Sequence, residues 1–138
     1  MNPLIRSSII LLLLLVLLGI AGCGGGSAMG TVNGTVTFDG QPLKQGTVRF
    51  VPVDGKSPTA SANVTDGKFT VNVPTGEMRV EFSAPKATGR RTKMYDTPDS
   101  PVVEDTVELI PERYNVRSEL KISVKKGSQD ETFTLKLK

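Results

Sequence analysis

Histidine and tryptophan are absent from this 138-residue chain, cysteine occurs once, and only Tyr95 and Tyr114 accompany five phenylalanines. Without His and with a single thiol, a His- or Cys-built zinc site, a Ser-His-Asp triad and an intrachain disulfide are all excluded. Two tyrosines are also a thin supply for stacking against sugar rings. Neither sign of charge dominates, with 17 Lys and Arg against 14 Asp and Glu. Taking away residues 1–22 removes Arg6 and no acid, which leaves 16 against 14, a net +2. That excess is too small to track a nucleic-acid backbone, so no nucleic-acid partner is expected. No residue set points to a cofactor or to catalysis, and the expectation is a protein that is not an enzyme.

What is present begins with an address. Met1–Ser8 carries one Arg, Ile9–Leu18 is an uninterrupted apolar run of ten residues, and Gly19, Ala21 and Gly22 come after it. A positive start, a short apolar centre and a small-residue exit make a secretory signal. A membrane-spanning helix needs about 20 apolar residues, and this run is too short. Ile20-Ala21-Gly22-Cys23 resembles the bacterial lipobox, which implies a diacylglycerol on Cys23, cleavage before it and acylation of the new amine. Several acyl chains give stable anchoring at about 0.8 kcal/mol per buried CH₂. Residues 1–22 are therefore expected to form a helical lipoprotein signal segment and 23–30 a lipidated Cys and Gly/Ser linker. Gly24 after the Cys slightly favours the outer over the inner membrane of a bacterial envelope, by analogy with the enterobacterial sorting rule. The linker holds the domain from Thr31 onward within roughly 15 Å of the headgroups.

In that domain apolar residues recur with period two, broken by Gly, Pro, Asp and Asn. That pattern predicts an all-β domain over 31–138, an antiparallel sandwich of about seven to eight short strands. Val32, Val36 and Phe38 share a face, then Val48 and Phe50, then Ala62 and Val64. Phe69, Val71 and Val73 come next, then Met78, Val80, Phe82 and Ala84, then Leu120, Ile122 and Val124, and finally Phe133, Leu135 and Leu137. Asp39-Gly40 and Asp66-Gly67 are turn chemistry, and the second is a two-residue hairpin signal. Residues 85–101, with three prolines and Gly89, are expected to be irregular. A strand is expected at Val102–Leu109, and a turn or short helical piece at Pro111–Asn115.

Gly34-Thr-Val36-Thr-Phe-Asp39-Gly40-Gln-Pro42-Leu43-Lys-Gln-Gly46-Thr-Val48 resembles the opening of carboxypeptidase regulatory-like domains, a strand, a D-G-x-P-L turn and a G-x-V strand. Asp66-Gly67-Lys-Phe69 and Pro74-Thr-Gly76-Glu-Met-Arg-Val80 are similar to the family's later hairpin and strand, with Met78 where Tyr is frequent. Lys86-Ala-Thr-Gly89 and Leu109-Ile-Pro111-Glu-Arg-Tyr114-Asn115 resemble the second half of small planctomycete lipoproteins that carry this domain. The resemblance implies a prealbumin-like (transthyretin-like) sandwich and no catalytic residue. Related collagen-adhesin repeats form Lys–Asn isopeptide bonds, but here the first strand has no Lys and the last no Asn.

The remaining candidates are weaker. Lys86, Arg90, Arg91 and Lys93 place four positive charges within eight residues. They are a candidate contact with an anionic surface, at about 1 kcal/mol per charge. Asp96, Asp99, Glu104 and Asp105 lie nearby; their spacing fits no Ca²⁺ loop, and a solvated acidic turn that neutralises the cations is favoured, with no metal expected. Asn33-Gly-Thr and Asn63-Val-Thr match the glycosylation acceptor pattern by chance. The expected function is a membrane-anchored, non-catalytic interaction or structural module held by the lipid on Cys23, with an envelope protein or polysaccharide as its partner. The alternative is a carbohydrate- or cell-wall-binding module using Tyr95 or Tyr114.

Overall fold

The computed structural model describes residues 27–138, so Cys23, Ile20, Ala21, Gly22 and the expected helical signal segment lie outside the described residues. Ten strands succeed one another in chain order: β1 Met29–Phe38, β2 Gln41–Pro42, β3 Gln45–Pro52, β4 Ala60–Thr65, β5 Lys68–Pro74, β6 Gly76–Ser83, β7 Pro85–Lys93, β8 Val102–Glu108, β9 Lys121–Val124 and β10 Gly127–Leu135. A single turn of 3-10 helix occupies Glu112–Tyr114. The all-β expectation holds. The first strand starts at Met29, inside the segment expected to be linker.

Two layers are built from these strands. Hydrogen bonding runs in the order β10-β1-β5-β4-β3-β6-β9, with β2 beside β1. Strands β4 and β5 share one register pair, Thr65 with Lys68, and then separate. The path therefore divides at that hairpin into β10-β1-β5 on one side and β4-β3-β6-β9 on the other. Asp66 and Gly67, at φ 49° and 74°, form the turn with two positive φ values whose twist suits a two-residue hairpin. Asp39 and Gly40 repeat that geometry between β1 and β2.

Alternation places the core as the sequence indicates. Val32, Val36, Val48, Val73, Val80 and Phe82 are fully buried, while the alternate residues of their strands face outward. Four of the five phenylalanines are buried, and Phe38 is half-buried against the same cluster. Rings from both layers meet across the interior: Phe69 of β5 lies 6.0 Å from Phe50 of β3 and 6.4 Å from Phe82 of β6, and Phe82 lies 5.1 Å from Phe133 of β10. Each buried ring contributes about 1.5–3 kcal/mol through the area it removes from water.

Four expectations are corrected. The sandwich is not wholly antiparallel, because β1 and β10 pair in parallel over nine residues. The cause is connectivity: β9 descends beside β6, and a two-residue crossover at Lys125-Lys126 starts β10 upward at the end where β1 also starts. Only 94–101 of the segment expected to be irregular is so, since 85–93 is a strand paired with β8. The basic cluster therefore sits on a strand, not on a loop. Leu137 lies beyond the end of β10 and is 56 % exposed, outside the core.

Opposite ends of the sandwich receive different parts of the chain. The N-terminal segment enters where Thr75 N–H bonds the Ala28 carbonyl at 2.8 Å, beside the start of β6. Eight residues of β6 at about 3.3 Å each put its other end roughly 25 Å away, and β7 leaves from there.

Gly34 stands opposite Phe69 in the β1–β5 register, and a Cβ built on it would lie 1.9 Å from the Phe69 ring. The ring occupies the space a side chain would need. Gly34→Ala is expected to destabilise the fold by about 1–3 kcal/mol, read as a lower urea midpoint at unchanged slope.

Candidate functional site

Two arrangements of polar side chains stand out, one on an arm and one on a sheet face. The arm is the ribbon β7–β8, in which every residue of β7 is exposed. Its register shifts between Ala87 and Arg91, around Gly89 at φ 75°. The shift lets Asp105 collect partners: Thr92 Oγ1 donates to its carboxylate at 2.9 and 3.0 Å, and Arg90 Nε lies 3.6 Å from it. Thr88 Oγ1 donates to the Asp105 carbonyl at 3.0 Å. Arg91 stands opposite Glu104. Among the described residues, Lys86 and Lys93 form no ion pair. Residues 85–108 hold four basic and five acidic side chains, so the arm as a whole carries no positive field.

At the tip, Tyr95 N–H bonds Ser100 Oγ at 2.7 Å and Met94 N–H bonds the Pro101 carbonyl at 2.9 Å. That backbone geometry holds the Met94 and Tyr95 side chains outward, 51 % and 62 % exposed. Val102 and Val107 of β8 are also half-exposed or more. At the base, Glu108 accepts from Ser83 Oγ at 2.6 Å, Ala84 N–H at 2.8 Å and Ile110 N–H at 2.9 Å. Burial alone would raise its carboxyl; those bonds outweigh burial and hold it below the usual value.

The second arrangement lies on the outer face of β3 and β6. Arg49 and Glu81 are direct cross-strand neighbours, and Arg79 precedes Glu81 by two residues on the same face. Arg49 donates from Nε at 2.8 Å and from Nη2 to Glu81 Oε2. Arg79 donates from Nε at 3.1 Å and Nη2 at 2.6 Å to Glu81 Oε1. Glu81 is only 4 % exposed, whereas both arginines reach water. Burial pushes its carboxyl up, but the hydrogen bonds and charges of Arg49 and Arg79 prevail and keep it below its ordinary 4.5. Beside this bridge is a shallow depression of ≈ 340 Å³ lined by Thr47, Arg49, Glu81, Phe82, Ser83 and Asn115.

The tyrosines expected to stack on sugars part company. Tyr95 is free at the arm tip, but Tyr114 packs half-buried against the core with the Arg113 guanidinium 4.9 Å from its ring centre. The hydrogen bond from Arg113 lowers its phenol below the usual value. Asp96, Asp99, Glu104 and Asp105 do not converge; among the described residues no three acidic groups form a metal-sized cluster. Asn33 is committed to a ladder across three strands, donating to Ser128 Oγ and Asp130 Oδ1 at 3.1 Å each and accepting from Thr70 Oγ1 at 3.1 Å. Arg49, Arg79, Glu81 and Glu108 escape sequence reading. Glu77, Arg79 and Glu81 look like an ordinary solvated strand face until the β3–β6 pairing is known.

Glu81 makes stability depend on pH in a defined direction. Its folded-state value is depressed, so its contribution is complete above its ordinary 4.5 and drains away as pH falls through the lowered value. Glu81→Gln is expected to cost about 1–3 kcal/mol at pH 7, with the difference from the parent narrowing at pH 3 in urea titrations. Glu108→Ala should release the arm while sparing the core. Hydrogen exchange of the β7–β8 amides should then accelerate and that of β1 and β5 should not. No family model matches the chain, and no curated protein matches it.

Proposed function

We propose that this chain is a lipid-anchored bacterial envelope protein whose β-sandwich is a non-catalytic interaction module. The observation that supports it is the separation of the two ends of the sandwich. The chain enters from the lipobox side at one end, and the exposed β7–β8 arm leaves from the other. Five residues, 24–28, separate Cys23 from β1, a reach of at most about 22 Å over six steps. A lipid on Cys23 holds the entry end at the membrane, outer rather than inner on the Gly24 rule, and the arm is presented toward the envelope space. In this reading the two layers are the prealbumin-like sandwich of a carboxypeptidase regulatory-like domain, in a lipoprotein of the planctomycete kind. Asp39-Gly40, Asp66-Gly67 and Gly76 serve it as turn formers.

The arm is where a partner would meet this module. With Arg90 paired and Arg91 facing Glu104, contact with an anionic surface would fall to Lys86 and Lys93. A second reading, a carbohydrate- or cell-wall-binding module, is favoured by the uncommitted polar groups around Arg49 more than by the tyrosines.

Cys23→Ser tests the anchor. The parent is expected in the detergent phase of a Triton X-114 separation and processed to a shorter form. The variant is expected in the aqueous phase and unprocessed at that site. A variant that stays in the detergent phase with unchanged processing would refute the anchored reading.

A further inference from the structure

The Arg49–Glu81–Arg79 bridge is half satisfied. Each guanidinium spends two of its five N–H donors on Glu81, and the other three on each meet no protein acceptor among the described residues. One carboxylate serves two cations, which leaves +1 on the bridge. Lys121, cross-strand from Arg79 and without an ion pair among the described residues, adds another, and exposed Glu77 offsets it. Glu81 fixes both guanidinium planes through two bonds each, so a ligand meets donors already ordered.

Several polar groups around Arg49 are also uncommitted, while Ser83 is spent on Glu108. Thr47 stands across from Asn63 on β4 and Ser83 on β6, and Arg49 across from Ser61 and Glu81, so these short polar side chains share one face. The Thr47 hydroxyl and the Asn115 side-chain amide make no hydrogen bond among the described residues, and both line the ≈ 340 Å³ depression with Arg49. A second depression of ≈ 200 Å³ is lined by Val51, Pro52, Val53, Arg79 and Lys121.

We infer that this face binds an acidic oligosaccharide, a sugar chain whose successive units carry a carboxylate or a phosphate. One oxyanion is taken by the free edge of Arg49 and another by Arg79 with Lys121. Thr47 and Asn115 take sugar hydroxyls. Neutral donors and acceptors beside fixed cations are what such a ligand requires, its oxyanions taking charge-assisted bonds and its hydroxyls neutral ones. The inference rests on the carbohydrate-binding reading and is independent of the lipid anchor.

The test is calorimetric titration of the full chain in neutral-detergent micelles at about 0.15 M salt, where long-range attraction between exposed charges is screened. The probes are a galacturonate oligomer, a phosphorylated mannan oligomer, a neutral galactose oligomer of equal length, monomeric galacturonate and inorganic phosphate. Binding of at least one acidic oligomer is expected, with the acid that binds identifying the oxyanion. Its monomer should bind at least tenfold more weakly and the neutral oligomer not at all. Arg49→Lys and Arg79→Lys keep a cation beside Glu81 and should each weaken binding about tenfold. Asn115→Ala lies outside the bridge and should weaken it several-fold even if the Lys variants melt early. Equal binding of the neutral oligomer, equal affinity for inorganic phosphate, indifference to all three variants or no binding of either acidic oligomer would each overturn the inference. None of these results bears on the Cys23→Ser separation.

Discussion

The Phe69 ring fills the place of a missing side chain at Gly34 and touches, from there, the rings of Phe50, Phe82 and Phe133. Those three come from β3, β6 and β10, so one residue of β5 joins both layers of the sandwich. Without Trp or disulfides, a domain of this size depends on such shared contacts for its single packed arrangement. The register of β1 on β5 is set by the same contact. A slip of one residue would present Thr70 to the interior and Phe69 to water. The bond from Val36 N–H to the Gly67 carbonyl at 2.8 Å ties β1 to the start of β5, and the Phe69–Gly34 pair locks that register.

Strand β6 carries the consequences outward. Its inward residues Met78, Val80 and Phe82, with Ala84 just beyond its end, complete the core, while on its other face Glu81 anchors the two arginines. Ser118 also donates from Oγ to the Val80 carbonyl, tying the segment before β9 to the same strand. Where β6 ends, Ser83 and Ala84 both bond Glu108 and fix the root of the arm. A two-stranded ribbon alone is marginal in water. This one is held by a clamped base, the Asp105 cluster midway and a hydrogen-bonded tip, all polar, because it has no core of its own.

Much of this was legible in the residues, and the boundary between what was and was not is physical. Period-two alternation reports burial on one face, so β1, β3, β5, β6 and β9 could be placed from the residues alone. Asp-Gly at 39–40 and 66–67 is local chemistry and needed no partner to be read. Strand β7 has no buried face; Lys86-Ala-Thr-Gly-Arg-Arg-Thr-Lys93 becomes a strand only because β8 returns beside it. Leu137 continues the alternation of β10 past the point where the strand stops, its N–H turned to Asp39 Oδ1. The bridge was invisible for a different reason. Arg49 and Glu81 are 32 residues apart, and their meeting depends on which strands are neighbours.

Charge on the arm is better explained by its edges than by a field. Each strand of a two-stranded ribbon exposes one row of unpaired N–H and C=O groups, and here that row accompanies exposed Val102, Val103 and Val107. β-branched, exposed and open-edged, such a ribbon would pair with a second copy or with any other strand presented to it. Lys86, Arg91 and Lys93, set among those positions, make such pairing costly, while the nearby carboxylates cancel their long-range attraction. The arm thus extends from the sandwich with its open edges guarded by charge. A uniformly basic arm would attract anionic surfaces at long range; one with four cations and five anions has no such net field.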